Sequence, residues 1–293
     1  MSKFALLTDS SCDLSPTWLK EHDIYYVPIL VNIDGETYRD GYDITPQEFL
    51  VRMAAAKELP KTSQPSPAAF EEIYQQIAAD GYTEVIYVSI CHKWSGAAQS
   101  AELAASQTKT GLTIDIIDSM SGTGGVALLV KHALMLRDAG KSREEMSAEI
   151  TKLAKASQLY FVPGSLENLI KGGRVPKLAG LAGTLLNVRP LIATDDEGNL
   201  GSCDKQRGKK IISTLAKHIK AYDEKFFNTC RAIYLHTGNE EDLMALQAEL
   251  AKLDVELNVV DTIQCGAIIA THGSANSFGI ALMPDPVDPR LAE

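Results

Sequence analysis

Along the first 157 positions, short apolar runs alternate with longer segments in which apolar residues return every three or four positions. The runs "KFALLT", "IYYVPILVNI", "EVIYVSI" and "LTIDIIDS" are rich in β-branched and aromatic residues and predict buried strands. Asp34-Gly35 follows the second run and is a turn signal for a hairpin. The intervening segments predict helices with defined starts. Ser15 before Pro16 and Ser66 before Pro67 place a cap and a first-turn proline. Thr45 with Glu48, and Ser142 with Glu145, have capping-box spacing. "GAAQSAELAA" and the stretch from about Gly125 to Ala139 complete the helices. Strands separated by crossover helices imply a largely parallel sheet covered on both faces.

The pattern changes near Ser157. "LYFVP" predicts a strand and "SLENLIKGGR" a short helix ended by glycines. "NVRPLIATDDEGNLGSCDKQRG" predicts two strands around a turn at Asp196-Glu197-Gly198. "CRAIYLHTG", a helix through about Leu253, and "DVELNVVDT" then resume the alternation. The expected fold is therefore two α/β domains, residues 1–157 and 158–293. The first is a three-layer unit on a largely parallel sheet; the second has a mixed, partly antiparallel sheet.

Composition narrows the function classes. The 293 residues carry a net charge of −10, which disfavours general nucleic-acid or anionic-membrane binding. The five cysteines (Cys12, Cys91, Cys203, Cys230 and Cys265) are dispersed without a CxxC pair, the pattern of reduced thiols in a cytosol. No run is long enough to span a membrane, and "MSKFALLTDSS" has too short an apolar run for a signal peptide. A cytoplasmic protein is expected, with at most transient membrane contact. The six histidines show no metal-ligand spacing. Neither GxxxxGK[ST] nor a GxGxxG behind the first strand is present. Asp9, in "TDSSCD", lacks the DxD-type pattern of phosphotransferases and is expected to serve loop hydrogen bonding.

Trp94-Ser95-Gly96 stands between the "EVIYVSI" strand and the alanine-rich helix. Unpaired N–H groups and the positive dipole end make a helix amino terminus at a parallel sheet's carboxyl edge an anion site. Ser95 adds a hydroxyl, and Gly96 allows close approach to the backbone. On the residues alone plain N-capping, which serine does routinely, is the favoured reading over ligand contact. A nucleophile elbow does not fit, because Lys93 stands where G-x-S-x-G needs its first glycine.

Taken together, "LLTDSSCDL", "KTSQPSP", "SGAAQSA", "LENLIKGGRVPK", "LLNVRPLI", "DKQRGKKII" and "GAIIATHGSANSFGIAL" resemble the DegV family, in order and spacing, from residue 6 to residue 282. The resemblance implies two α/β domains with a long-chain fatty acid between them. It implies a lipid-binding subunit that works with the catalytic subunit of a bacterial fatty acid kinase and itself uses no cofactor. By the same resemblance, Thr62 and Ser95, with Gly96 and His272 beside them, hold the carboxylate. Arg174 and Arg207 face the phosphoryl group or the partner. Two stretches depart from the family pattern. "CHKWSGA" replaces a small-residue "SSGLSGT"-like segment, and "GSANSFG" replaces a "TGPGALG"-like one. Both bear on chain preference and fine geometry.

Elementary energetics agree with a buried acyl chain. Each buried methylene contributes roughly 0.8 kcal/mol, so more than about ten outweigh two charged hydrogen bonds of about 1.5–3 kcal/mol each. The tail would supply affinity and the carboxylate contacts orientation. The basic residues Lys171, Arg174, Lys177, Lys205, Arg207, Lys209 and Lys210 stand out in an acidic chain. Arginines in such positions can meet an oxyanion bidentately. Two other classes stay open on the residues alone. One is an acyl hydrolase or acyltransferase using Ser95 and His272; the other is a binder of a different apolar acid.

Overall fold

A computed structural model describes residues 4–175 and 188–286. Lys177, the "LLN" of "LLNVRPLI", and the first residues of "KFALLT" and "NVRPLI" lie outside the described residues.

The parallel sheet forms from β1 (Phe4–Asp9), β2 (Ile24–Val27), β6 (Glu84–Ser89) and β7 (Thr113–Asp118), in the order β2-β1-β6-β7. The run from Ile24 is not one strand. Pro28 cannot donate to a ladder, and the chain leaves the sheet there. After Pro28, β3 (Leu30–Ile33) turns through Asp34-Gly35 into β4 (Glu36–Arg39), the hairpin the turn signal predicts. β3 also pairs with β5 (Lys61–Ser63), a strand too short to read in the sequence.

Six strands form the second sheet. They are β8 (Gln158–Val162), β9 (Val188–Thr194), β10 (Leu200–Arg207), β11 (Arg231–His236), β12 (Asn258–Gln264) and β13 (Phe278–Met283). Their order is β10-β9-β8-β13-β11-β12, and only β11 and β12 run parallel. The mixed sheet agrees with the sequence reading. "DVELNVVDT" contributes to β12 only from Asn258 onward.

The helices are α1 (Pro16–Glu21), α2 (Pro46–Ala55), α3 (Pro67–Ala79), α4 (Ala97–Gln107), α5 (Gly124–Asp138), α6 (Arg143–Ala156), α7 (Leu166–Lys171), α8 (Lys210–Lys225), α9 (Glu240–Lys252) and α10 (Ala267–Gly273). Both capping boxes form as their spacing predicts, at Thr45 and Ser142. Alternation along the strands sorts the core. Ala5, Leu7, Val85 and Tyr87 face α3 and α4, while Leu6, Ile86 and Val88 face the other way. In the second sheet Ala232, Tyr234, Ile280 and Leu282 face α8 and α9.

The opposite faces of the two sheets share one core. Leu6, Ile86 and Val88 join Ile233, Leu235, Ala281 and Met283 around the buried Val126–Val130 stretch of α5. α5 is therefore apolar on nearly all sides, as a helix between two sheets must be. Gly124 opens it because a Cβ there would lie 2.8 Å from Leu235 and 3.0 Å from Ile233. α2, α10 and the small β4-β3-β5 sheet pack on a further core of Ile29, Val31, Phe49 and Ile268.

Candidate functional site

A cavity of about 280 Å³ opens where the pieces of this fold meet. Its lining is mostly apolar and comes from distant parts of the chain: Ile29, Ile90, Leu159, Phe161, Leu169, Leu235, Ile268 and Phe278 among others. A largely apolar cleft with a few polar groups is the usual form of a small-molecule site.

The structure brings Thr62, Ser95, Gly96, Arg174 and His272 together in the lining of this cavity. Thr62 arrives on β5 and His272 on the last turn of α10, with 3.1 Å between Thr62 Oγ1 and His272 Nε2. Burial and the neighbouring Arg174 push His272 down to about 4, so its ring is neutral at pH 7. His272 Nδ1 is buried with no hydrogen-bond partner among the described residues. Among the described residues a Ser-His-carboxylate relay is therefore not built: Nε2 meets Thr62 rather than Ser95, and no described carboxylate holds Nδ1.

Ser95 is not the N-cap residue of α4. Gly96 takes that position, and Ser95 Oγ accepts from Ala97 N–H at 3.2 Å. Its hydroxyl proton is left to donate elsewhere, so capping and ligand contact are compatible. The Gly96 Cα faces the Gln64 side chain, and a Cβ would collide with it. Gln64 Nε2 in turn donates to Ser100 at 2.9 Å. Gln64 is a lining residue that sequence reasoning passed over, although it sits inside the "KTSQPSP" stretch.

Arg174 lies half-buried against the cavity. Its Nε donates to Trp94 O at 3.3 Å, and its guanidinium also reaches Gly172 O. Arg207 is elsewhere, exposed at the end of the edge strand β10 and outside the lining. Among the basic residues around it, Lys209 pairs with Glu241 at 2.7 Å. Lys171, near Arg174, pairs with Glu167 at 2.6 Å.

The departure at Lys93-Trp94 has a clear structural role. Trp94 Nε1 donates to Gly198 O at 2.8 Å, and Lys93 pairs with Glu197 at 3.0 Å. Both contacts fasten the β6–α4 loop to the Asp195–Gly198 turn between β9 and β10. The indole also lines the cavity and packs against three core clusters. In the other departure, Ser277 Oγ accepts from Gly164 N–H at 3.0 Å and binds the Ser274–Ser277 loop to the β8–α7 loop.

A buried acid pair seats α10. Asp13 accepts from Gly266 N–H at 2.9 Å and Asp40 from Ala267 N–H at 3.0 Å. Burial raises Asp40 to about 6; burial and then Asp40 raise Asp13 well above the usual range. Asp9 serves loop hydrogen bonding as expected, accepting from Ser11, Tyr87 and Ile90. Among the described residues no group of three His, Cys, Asp or Glu is arranged to hold a metal. No described helix is long and apolar enough to cross a membrane.

This fold, with a cavity between its two large sheets, defines a class of protein. The chain belongs to the DegV family, whose model matches residues 3–285. A DegV domain-containing protein of Listeria monocytogenes is 32% identical over 287 residues, covering 97% of this chain and 100% of that one. A fatty-acid-binding DegV family protein from Thermus thermophilus superposes with a TM-score of 0.87 at 30% identity, over 96% of this chain and 99% of that chain. A stearic-acid-binding protein from Eubacterium ventriosum gives 0.87 at 31% identity, over 97% and 98%. The linoleic-acid-loaded fatty acid kinase B3 protein of Streptococcus pneumoniae shares the fold, with a TM-score of 0.81 at 23% identity over 97% and 100%.

Proposed function

We propose that this chain binds a long-chain fatty acid in the inter-sheet cavity and presents its carboxylate to a separate ATP-dependent kinase that forms the acyl phosphate. The observation that carries the reading is the hydroxyl pair Thr62 and Ser95 within an otherwise apolar cleft, with neutral His272 against Thr62. If His272 Nε2–H donates to Thr62 Oγ1, the threonine hydroxyl proton is free for the ligand. Ser95 supplies a second donor, and the absence of a side chain at Gly96 lets Gln64 pack against the backbone beside it. A carboxylate so held has two hydroxyl donors at the start of α4, where the helix dipole also favours an anion. The fatty-acid-binding relatives at 30% and 31% identity support the ligand class.

In this reading the chain contributes no catalytic group and needs no cofactor. ATP and any metal chemistry belong to the partner. Arg174 beside the cavity and Arg207 on exposed β10 would meet the extra charge of the acyl phosphate rather than the ground-state carboxylate. The test is extraction of the purified chain followed by lipid mass spectrometry, with near-stoichiometric acyl chains expected. A lipid-free extract, with palmitate and oleate leaving the melting temperature unchanged, would overturn the reading.

A further inference from the structure

The cavity holds a polar side chain that carboxylate binding does not use. Its hydroxyls away from Thr62 and Ser95 are mostly committed within the protein. Thr237 Oγ1 donates to Ser274 O at 2.7 Å and accepts from Ser277 N–H at 2.8 Å. Ser277 Oγ donates to Gly273 O at 2.5 Å. Thr123 Oγ1 meets Cys265 Sγ at 3.4 Å.

His236 differs. It ends β11, lines the cavity, and is only 7% exposed. Gly238 N–H, which can only donate, points at His236 Nδ1 at 3.3 Å. Nδ1 is therefore the acceptor, and the ring proton sits on Nε2. Burial lowers the ring's pKa, which keeps it neutral. Nε2–H has no hydrogen-bond partner among the described residues. Leu159, Leu235, Phe278 and Ile269 line the same cavity, so a ligand atom that accepts there would give this donor a partner the protein does not supply.

The position of this donor is fixed by α10. Cys265 N–H donates to His236 O at 2.8 Å, so His236 sits beside the start of that helix. His272 sits on its last turn. At 1.5 Å rise per residue the two ends are roughly 10 Å apart. His236 thus lies toward the opposite end of α10 from His272, away from the carboxylate end as proposed.

We propose that the cavity is built for an acyl chain that carries an oxygen acceptor, a hydroxyl or a ketone, partway along its length, with that oxygen receiving His236 Nε2–H. This inference rests on the fatty-acid reading above and names a substrate class within it. The two can fail separately.

The experiment titrates the delipidated full chain by calorimetry with octadecanoic acid and with its hydroxy derivatives, the hydroxyl walked along the chain. One narrow mid-chain stretch should bind roughly tenfold or more tighter than the remaining isomers, whose buried hydroxyl finds no partner. His236→Phe should erase that spread, and His236→Gln, which keeps a donor, should retain part of it. A ketone at the matched position should follow the hydroxyl. Octadecanoic acid binding with no positional preference among the isomers would overturn the inference and leave the fatty-acid reading standing. Failure of octadecanoic acid and every isomer to bind would overturn both. Nuclear magnetic resonance of the His236 imidazole in the unaltered protein gives a check that does not depend on variants folding. Nε2–H should move downfield with the matched hydroxy acid and not with octadecanoic acid, and identical shifts would overturn the inference.

Discussion

His272 ties the stability of the ligand-free chain to pH, with a sign and size that follow from its surroundings. Its pKa stands at about 4 in the folded chain, because burial and Arg174 disfavour the imidazolium. An unfolded histidine titrates near 6.5. Between these values the unfolded chain binds more protons than the folded one, so folding stability falls as pH falls. The loss from this group is about 2 kcal/mol between pH 7 and pH 5, approaching about 3 kcal/mol near pH 4. Asp40 acts in the opposite direction. Its folded value of about 6 lies above an ordinary carboxyl, so its cost is relieved as pH falls through 6. The two partly cancel in the unaltered protein, and the measurement must be a difference. Urea unfolding of delipidated wild type and His272→Gln at pH 7, 6 and 5 isolates the histidine. Relative to wild type, the variant should gain about 2 kcal/mol on going from pH 7 to pH 5. A difference that stays flat across this range would show that His272 is not held neutral by the fold, and would remove the basis for its bond to Thr62 as proposed. Bound carboxylate should weaken the effect, since a nearby anion favours the charged ring.

Ser95→Ala should weaken fatty-acid binding by about 1.5–3 kcal/mol, and the double change with Thr62→Val by more, while a methyl ester suffers far less; calorimetry with acid and ester decides. Equal losses for both ligands would mean that the hydroxyls do not read the carboxylate. Trp94→Phe should cost about 1 kcal/mol in urea unfolding through the lost bond to Gly198 O. Trp94→Ala should cost about 2–3 kcal/mol, because the ring also packs against three clusters; equal costs for the two variants would place the whole effect in the hydrogen bond. Arg207→Ala and Arg174→Ala should keep most fatty-acid affinity yet lose acyl-phosphate formation when kinase and labelled ATP are supplied, and lysine should rescue poorly at either position. Proportional loss of binding and turnover would instead make the arginines ligands of the carboxylate itself.

The elements with strong local signals are legible in the sequence, and those that tertiary packing decides are not. The apolar runs at β1, β6 and β7 and the capped starts of α2, α3 and α6 follow directly from residue pattern. Pro28 stands inside "IYYVPILVNI", but a single apolar run across it hides a change of sheet. β13 is a central strand and yet contains Gly279 and Ala281, poor strand formers. Its reason is steric: Gly279 lies against the backbone of Tyr160 and Phe161 on β8, where a Cβ would collide. No local rule reveals such a contact. In the site, the family resemblance singled out Thr62 and Ser95. Residue chemistry alone favours capping over ligand contact for Ser95, and its bond to Ala97 N–H leaves the hydroxyl proton free to donate elsewhere. His236 carried only a weak signal, a polar residue at the carboxyl end of a strand, where ligands collect in open α/β sheets.

The cavity exists only because the pieces around it hold one another. α10 begins on carboxylates from the first half of the chain, Asp13 and Asp40, and ends with His272 against Thr62 of β5. Trp94 and Lys93 then reach from the first sheet's loop to the turn between β9 and β10. Each contact crosses between segments far apart in sequence, so the walls assemble only with the folded whole. A ligand that fills the space binds the folded state and not the unfolded one, and stabilises it by RT ln(1 + [L]/Kd). Occupancy and fold stability are therefore coupled without any moving part.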